Sequence, residues 1–380
     1  MTGAEAVAHA MRQIQPDVVP VYPITPQTPI VETFAGFVSD GRVATEMIDV
    51  ESEHSAMSAA VGAALAGART MTATSSQGLA LMVEVVYLAA ALRAPIVIAV
   101  GNRALSGPIN IHCDHSDSML ARDSGAVQLF AQNAQEAYDL TVMAPRIAER
   151  RDVLLPVMIC QDGFTVTHAA EPVVLLDDGA VRDFVGDYEV PYPLLDVRRV
   201  TTHGPFAMPE YYFELKHQQV EAMAAALDAL ADVAREFARI SGREYRAVEP
   251  YALEDAERAV VLLGSTAGTA KDVVDELRRD GERVGVLEVR AFRPFPEESV
   301  RALLSRLAAV AVLDRAVSPG ARPPLYTEAA AALYGLPVAV QSYVYGLGGR
   351  DLYPASLREV FAELTAGASG SETRYLGLRR

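Results

Sequence analysis

Apolar positions in the first part of the chain fall into two alternating rhythms. Short apolar runs at Val18–Tyr22, Thr45–Asp49, Arg69–Thr74, Ile96–Gly101 and Val153–Cys160 read as strands. Between and around them Ala4–Gln13, Pro29–Val38, Glu53–Ala68, Leu79–Leu92 and Ala134–Glu149 read as helices. Strands that are apolar throughout, rather than at every second position, are covered on both faces. Their alternation with longer helices predicts an α/β fold with a doubly wound parallel sheet. The rhythm fails from about Glu171 to Lys216, a segment rich in Pro, Asp, Gly and Tyr (VGDYEVPYPLLD, HGPFAMPEYY) that reads as a long ordered excursion over the surface. A helix over about Gln218–Ile240 closes it. After a linker near Ser241–Ala256 a second, smaller α/β unit begins, with strands at Ala259–Gly264, Val284–Val289 and Ala308–Leu313 and a helix at Thr269–Arg279. The boundary is placed near residue 245, giving units 1–245 and 246–380.

Composition narrows the class of protein. A chain of 380 residues with 51% hydrophobic and 22% charged residues is globular rather than disordered. The net charge of −16, from 33 basic and 49 acidic side chains, repels nucleic acid and anionic lipid, so neither is an expected partner. No apolar run reaches the roughly 18 residues of a membrane span. The longest candidate, Tyr87–Val100, is broken by Arg93 and Pro95. The first residues show no basic start followed by an apolar run, so the expectation is a soluble, cytoplasmic protein. Two cysteines, Cys113 and Cys160, are too few for an iron–sulfur cluster, which takes about four thiolates. Any electron-carrying cluster would sit on another chain.

Five constellations could carry chemistry. Tyr22-Pro23-Ile24-Thr25-Pro26 ends the first strand, and there Thr25 offers a hydroxyl and an amide in a direction fixed by flanking prolines, although a plain strand-ending turn explains it too. Glu46, Asp49, Glu51 and Glu53 end the next strand and open a helix. Acidic residues in a first helical turn complement the macrodipole, and Asp49 or Ser52 could cap it. The helix that follows is almost entirely Ala, Gly, Ser and Val, which packs closely and would bury Glu53. A carboxylate so placed can exchange a proton with a ring nitrogen. Thr72-Ala-Thr74-Ser75-Ser76-Gln77-Gly78 ends a strand in hydroxyls ahead of a helix, either cradling a polar ligand or merely capping. Arg103 directly follows a buried strand, where its fork-shaped guanidinium suits a carboxylate, or would pair with Asp114, Asp117 or Asp123 close behind. His112 and His115 have no matched second cluster, so no metal site is expected. The fifth, Gly264-Ser-Thr-Ala-Gly268, lacks a P-loop lysine and reads as a tight strand-to-helix turn.

Long motifs tie these pieces together. YPITPQTPIVETF, ESEHSAMSAAVGAALAGARTMTATSSQGL, NRALSGPINIHCDHSDSMLARDSG and VMICQDGFTVTH, in that order, resemble the alpha subunit of the pyruvate:ferredoxin oxidoreductase and branched-chain 2-oxoacid oxidoreductase family. VLEVRAFRPFPEE, AVLDRAVSPG and YGLGGRD are similar to its second, transketolase-C-terminal-like domain, with a departure at SPGARPPLYTE, where a more Gly-rich loop would be expected.

The resemblance implies a pyrimidine-type thiamine-diphosphate domain followed by that smaller one. It implies that Glu53 bonds the cofactor's aminopyrimidine ring, that Thr25 and Arg103 hold the substrate, and that Thr25, Ser75 and Ser76 line the cofactor site. The activity implied is oxidative decarboxylation of a 2-oxoacid, pyruvate first, with coenzyme A taking the acyl group and ferredoxin the electrons. No Gly-Asp-Gly…Asn segment and no cysteine-rich stretch is present. Mg2+, the diphosphate half of the site and the [4Fe-4S] clusters are therefore expected on beta-type, gamma and ferredoxin-like delta partners or their equivalents. A branched-chain (2-oxoisovalerate) oxidoreductase, a non-redox thiamine-dependent decarboxylase or ligase subunit, and a non-catalytic scaffold are the competing readings.

Overall fold

The computed structural model describes residues 1–367 and 372–379. In chain order the first elements are α1 (Gly3–Ile14), β1 (Val18–Val21), α2 (Thr28–Ser39), β2 (Glu46–Asp49), α3 (Glu53–Ala66), β3 (Thr70–Thr74) and α4 (Ser76–Ala91). There follow β4 (Ile96–Asn102), α5 (Ser116–Leu120), β5 (Val127–Ala131), α6 (Ala134–Ala148), β6 (Val157–Asp162), α7 (Asp178–Val185) and α8 (Pro209–Ser241). The remainder is β7 (Val248–Tyr251), β8 (Arg258–Leu262), α9 (Thr266–Arg279), β9 (Val284–Val289), β10 (Ala291–Arg293), α10 (Glu297–Leu304), β11 (Ala309–Asp314) and α11 (Pro324–Ala332). It ends with β12 (Ala339–Val344), a 3-10 turn at Leu347–Gly349, α12 (Pro354–Thr365) and β13 (Arg374–Tyr375).

Two sheets result. The first has the order β10-β5-β6-β4-β3-β1-β2 and is parallel except for β10 against β5. The second has the order β13-β12-β11-β8-β9-β7 and is parallel except for β7 against β9. The α/β expectation therefore stands, with one antiparallel edge strand on each sheet. The strands β3 to β6 are buried along their whole length, as a sheet with helices on both faces requires. In α6, 13 residues are buried, among them Tyr138, whose hydroxyl donates to Gln13 Oε1 of α1. No helix among the described residues is long and apolar enough to cross a membrane.

Several elements differ from the pattern-based expectation, each for a physical reason. β5 was not anticipated, because Gln128 interrupts its apolar run; the side chain is fully buried and donates to Ser118 O. β12 carries the buried polar residues Gln341 and Ser342 and is masked in the same way. β6 starts at Val157, not Val153, because Leu154 adopts φ 42° in the turn before it. Inside the excursion lies α7, capped by Asp177, whose carboxylate accepts the Gly179 and Ala180 amides. The next helix, α8, starts at Pro209 rather than Gln218. Its first buried residue is Ala222, so the opening turns show no apolar periodicity to read. In SPGARPPLYTE the helix α11 opens on Pro323-Pro324 without a capping side chain of its own. Asp314, at the end of β11, accepts the Leu325 and Tyr326 amides instead (2.8 and 3.0 Å).

The chain joins the two sheets at a seam where β9 passes into β10. Leaving β9, the chain turns at Arg290, and β10 then extends the first sheet beside β5. Arg290 is 2% exposed. Its guanidinium donates to Glu136 Oε1 of α6 (2.7 Å) and to Arg246 O (2.6 Å). Beside it Lys271 of α9 donates to Glu288 (2.8 Å) and to Gln132 (2.6 Å). Burial pushes the Glu288 carboxyl above its ordinary value, opposed by Arg290 and Lys271.

Two consequences can be measured. Arg290→Ala strands Glu136 beside the buried Glu288, and breaking a buried pair from one side costs about 3–5 kcal/mol. Chemical denaturation should show a loss of that size, and a loss under about 1 kcal/mol would mean the seam is not held by this pair. Burial also pushes the Asp314 carboxyl up to about 7, against the pull of the two α11 amides. A raised folded-state value means that this group's favourable contribution is complete below the ordinary carboxylate range and is lost as pH rises through about 7. The melting temperature of Asp314→Asn should therefore gain on wild type between pH 5 and pH 8; parallel curves would contradict the assignment.

Candidate active site

The first sheet reverses its winding direction between β1 and β3. From β1 the chain passes through α2 to β2 on one side, then through α3 to β3 on the other. The crevice at the carboxyl ends of strands flanking such a reversal is where open α/β sheets bind ligands. Thr25 follows β1, Glu53 follows β2, Ser75 and Ser76 follow β3, and Arg103 follows β4. The strands run parallel, so all five residues stand at the same end of the sheet.

Of the four carboxylates around the start of α3, Glu46, Asp49 and Glu51 are exposed and Glu53 alone is buried, at 6% exposure. The helix is capped by Ser52, which accepts the Ser55 amide, so Glu53 is not needed as a cap. Its side chain lies against α4 at Gly78. A β-carbon built there would come 2.6 Å from Glu53 Oε1 and 2.6 Å from Thr74 Oγ1. Gly78 thus makes the space in which the carboxylate sits. The Thr74 hydroxyl is fully buried beside it and the Ser75 hydroxyl is fully buried near Gly101, and neither has a hydrogen-bond partner among the described residues. Buried hydroxyls rarely stay unpaired, so both are free to bond a polar group brought to the site. Ser75 precedes α4 without capping it, whereas the Ser76 hydroxyl donates to Ala104 O (2.6 Å) and so braces the next loop.

Arg103 is 7% exposed. Pairing with a nearby aspartate, one of the two readings of its sequence position, is not what the structure contains. Its guanidinium donates to two main-chain carbonyls, Thr25 O (3.0 Å) and Asn110 O (3.1 Å), and no carboxylate among the described residues forms an ion pair with it. A guanidinium has five N–H donors and a full charge. Held by carbonyls alone, it leaves charge and donors for an incoming anion. The side chain of Thr25 is exposed beside it.

Asp117, read in sequence only as a possible partner of Arg103, has another task. It is fully buried, and one carboxylate oxygen accepts the main-chain amides of Ser76 (3.0 Å) and Arg103 (2.9 Å). The other accepts from Asn102 Nδ2 (2.9 Å) and the Ser118 amide (2.7 Å). Burial pushes this carboxyl up to about 6, and the four donors pull it back down. Ser76 has φ 48°, a left-handed conformation costing a non-glycine residue about 1–3 kcal/mol, and Asp117 holds it there. An acid inside a hydroxyl-rich turn (DHSDS) was the available sequence signal.

Cys113, His115 and Asp162 bring ligand-type atoms within 4.8 Å of one another. Asp162 is already engaged by His115 (2.7 Å), Arg315 (2.8 Å) and the Ser265 hydroxyl (2.5 Å). Burial alone would raise its carboxyl, but His115 and Arg315 hold it well below the usual range. The Arg315 guanidinium balances the charge of this carboxylate. The Gly264–Gly268 turn receives this same carboxylate, since Ser265 N also donates to Asp162 (3.1 Å), in place of the phosphate its glycines suggest. Burial pushes the Cys113 and Cys160 thiols up, so neither is poised as a thiolate.

A buried acid, two buried hydroxyls without a partner among the described residues and a guanidinium held only by main-chain carbonyls form a donor set that fits an aminopyrimidine ring and a small carboxylate substrate. Residues 9–235 match the model for the thiamine-diphosphate-binding region of pyruvate flavodoxin/ferredoxin oxidoreductase, and residues 256–357 match core domain II of pyruvate:ferredoxin oxidoreductase. The chain is 58% identical to pyruvate synthase subunit PorA of Thermotoga maritima, covering 100% of this chain and 97% of that one. It is 46% identical to the PorA subunit of Methanocaldococcus jannaschii, with the same coverage. A solved 2-oxoglutarate:ferredoxin oxidoreductase from Magnetococcus marinus superposes with a TM-score of 0.73 at 20% identity, a likeness of fold covering 96% of this chain and 65% of that one. The chain belongs to the pyruvate flavodoxin/ferredoxin oxidoreductase family.

Proposed function

We propose that this chain is the alpha-type subunit of a 2-oxoacid:ferredoxin oxidoreductase acting on pyruvate, and that it contributes the pyrimidine half of a thiamine-diphosphate site. The observation that carries this reading is the buried guanidinium of Arg103, with no carboxylate partner among the described residues, at the same sheet end as the buried Glu53. Thiamine diphosphate, when bound, supplies the carbanion chemistry that removes carbon dioxide from a 2-oxoacid. The chain's own residues position and relay. Glu53 holds and exchanges a proton with the aminopyrimidine ring, while the hydroxyls of Thr74 and Ser75 offer that ring polar contacts. Arg103 grips the substrate carboxylate and the exposed Thr25 hydroxyl its carbonyl. Ser76 keeps the loop after β4 in place through Ala104.

Residues 1–245 form the pyrimidine-type domain in this reading and residues 246–380 the transketolase-C-terminal-like domain. A beta-type subunit carries the diphosphate and Mg2+, and gamma and delta subunits or their equivalents carry the [4Fe-4S] clusters, since the two cysteines here are buried and separate. Coenzyme A takes the acyl group, ferredoxin the electrons, and the complex works in the cytoplasm.

The deciding experiment is Glu53→Gln in the assembled complex. The amide keeps the side chain's shape and removes its acid–base function, a loss typically worth about 10²–10⁴-fold in rate. The complex should assemble with its iron–sulfur absorbance intact and exchange the thiazolium C2 proton slower by that factor. Exchange at the wild-type rate would remove Glu53 from the chemistry, and a wild-type complex without cluster absorbance would make the enzyme a non-redox thiamine enzyme.

Arg103→Lys tests the substrate site separately. A lysine cannot reproduce the planar fork, so the apparent KM for pyruvate should rise with less effect on kcat, and Arg103→Ala should nearly abolish turnover. Thermal destabilisation with unchanged kinetics in both variants would make Arg103 structural.

A further inference from the structure

The glycine turn after β12 belongs to the second unit, yet it grips the loop that carries Arg103. We infer that Gly346–Gly349 is a positioning element for Arg103, so that the second unit sets the enzyme's affinity for its 2-oxoacid. This rests on the reading of Arg103 as the carboxylate site.

The loop from Ala104 to His115 is closed at its base by the Ala104 amide donating to His112 O (3.0 Å). Its tip, Ser106–Ile109, is exposed, with Ile109 at 77%, so apolar packing does not fix the tip. Ser76 and Gln77 of the first unit hold its opening residues, at Ala104 O and the Ser106 hydroxyl, and hydrogen bonds with the second unit hold its second half. Gly349 N donates to Cys113 O (2.7 Å), Gly348 N to Asp114 Oδ2 (3.3 Å) and Asn110 Nδ2 to Gly348 O (3.0 Å). At the loop's far end His115 N donates to Arg315 O (2.8 Å), and Arg315 Nε donates to Gly346 O (3.3 Å). The same Asn110 whose side chain meets Gly348 gives its main-chain carbonyl to Arg103 Nε (3.1 Å). One residue therefore joins the turn to the guanidinium.

Only glycine serves at two positions of this turn. Gly348 and Gly349 have φ of 60° and 80°, and a β-carbon on either would strike a loop side chain, Asn110 Nδ2 for the first and His112 Cβ for the second. The close approach is what lets the turn's amides and carbonyl reach the loop.

The test uses the assembled complex with Gly348→Ala and, as a milder change, Asn110→Asp, which keeps an acceptor for the His112 amide (2.7 Å) and the carbonyl that meets Arg103 but removes the donor to Gly348 O. Amide hydrogen exchange of peptides within 104–112 is followed together with steady-state kinetics and thiazolium C2 proton exchange. Gly348→Ala should speed exchange in those peptides and raise the apparent KM for pyruvate by about tenfold, within the range a small misplacement of a binding group produces. The kcat and the C2 proton exchange should stay near wild type, and Asn110→Asp should show a smaller shift of the same kind. Unchanged exchange in 104–112 would overturn the grip itself. Faster exchange with an unchanged KM, where Arg103→Lys does raise KM, would overturn the positioning role. An unchanged KM in Arg103→Lys would fail the underlying substrate reading and this inference with it, and the 104–112 peptides would still report on the grip.

Discussion

A single buried carboxylate organises the candidate site. Asp117 gathers the amides that open the loops after β3 and β4, so the residues following two neighbouring strands are referred to one point. Ionised and without solvent it would be unfavourable, and four N–H donors offset that, which is why its carboxyl rises only to about 6. The left-handed turn at Ser76 and the direction in which Arg103 leaves its strand both follow from this anchor. Ser76 then braces Ala104, and Arg103 reaches Thr25 O, so the loops after β1, β3 and β4 form one connected frame. Glu53 enters that frame across Gly78.

How much of this the sequence discloses depends on the range of the interaction. Strands buried on both faces announce themselves as apolar runs, and the helices between them by length and composition. Glu53, Arg103 and Thr25 were legible as strand-end residues, and their order within long family-like motifs separated Glu53 from the similar-looking Glu51 and Asp49. The frame was not legible. Asp117 bonds main-chain amides 14 and 41 positions away, and such acceptors leave no trace in residue type. β5 and β12 stayed hidden because Gln128, Gln341 and Ser342 are polar yet buried, a combination that tertiary hydrogen bonding permits and pattern reading scores as loop. The early turns of α8 stayed hidden for the opposite reason, since nothing there is buried at all.

Besides the glycine turn, two charged centres of different character join the second unit to the first. At the seam Arg290 satisfies carboxylates from both sheets' surroundings. At the strand ends Asp162 of β6 takes His115 of the Arg103 loop, Arg315 after β11 and Ser265 before α9. The second centre lies within the loop system of the candidate site, so the relative placement of the two sheets and the shape of the site are not independent. A turn that resembles a phosphate loop in sequence is here filled by the chain's own carboxylate, and its glycine, φ 69° at Gly264, is needed because a side chain would displace Asp162.

The annexed strand β10 has a consequence for how the chain is made. The outer edge of β5 has no neighbour until Ala291–Arg293 arrives, more than 150 residues further along the chain, as the Arg290–Glu136 contact at a separation of 154 measures. During synthesis at about 5–20 residues per second, that interval leaves the first sheet with an open strand edge for roughly 8–30 s. An unpaired edge is a template for pairing with the wrong chain. The newborn first unit is therefore most exposed to misassociation while its sheet waits for a strand that the ribosome has yet to release.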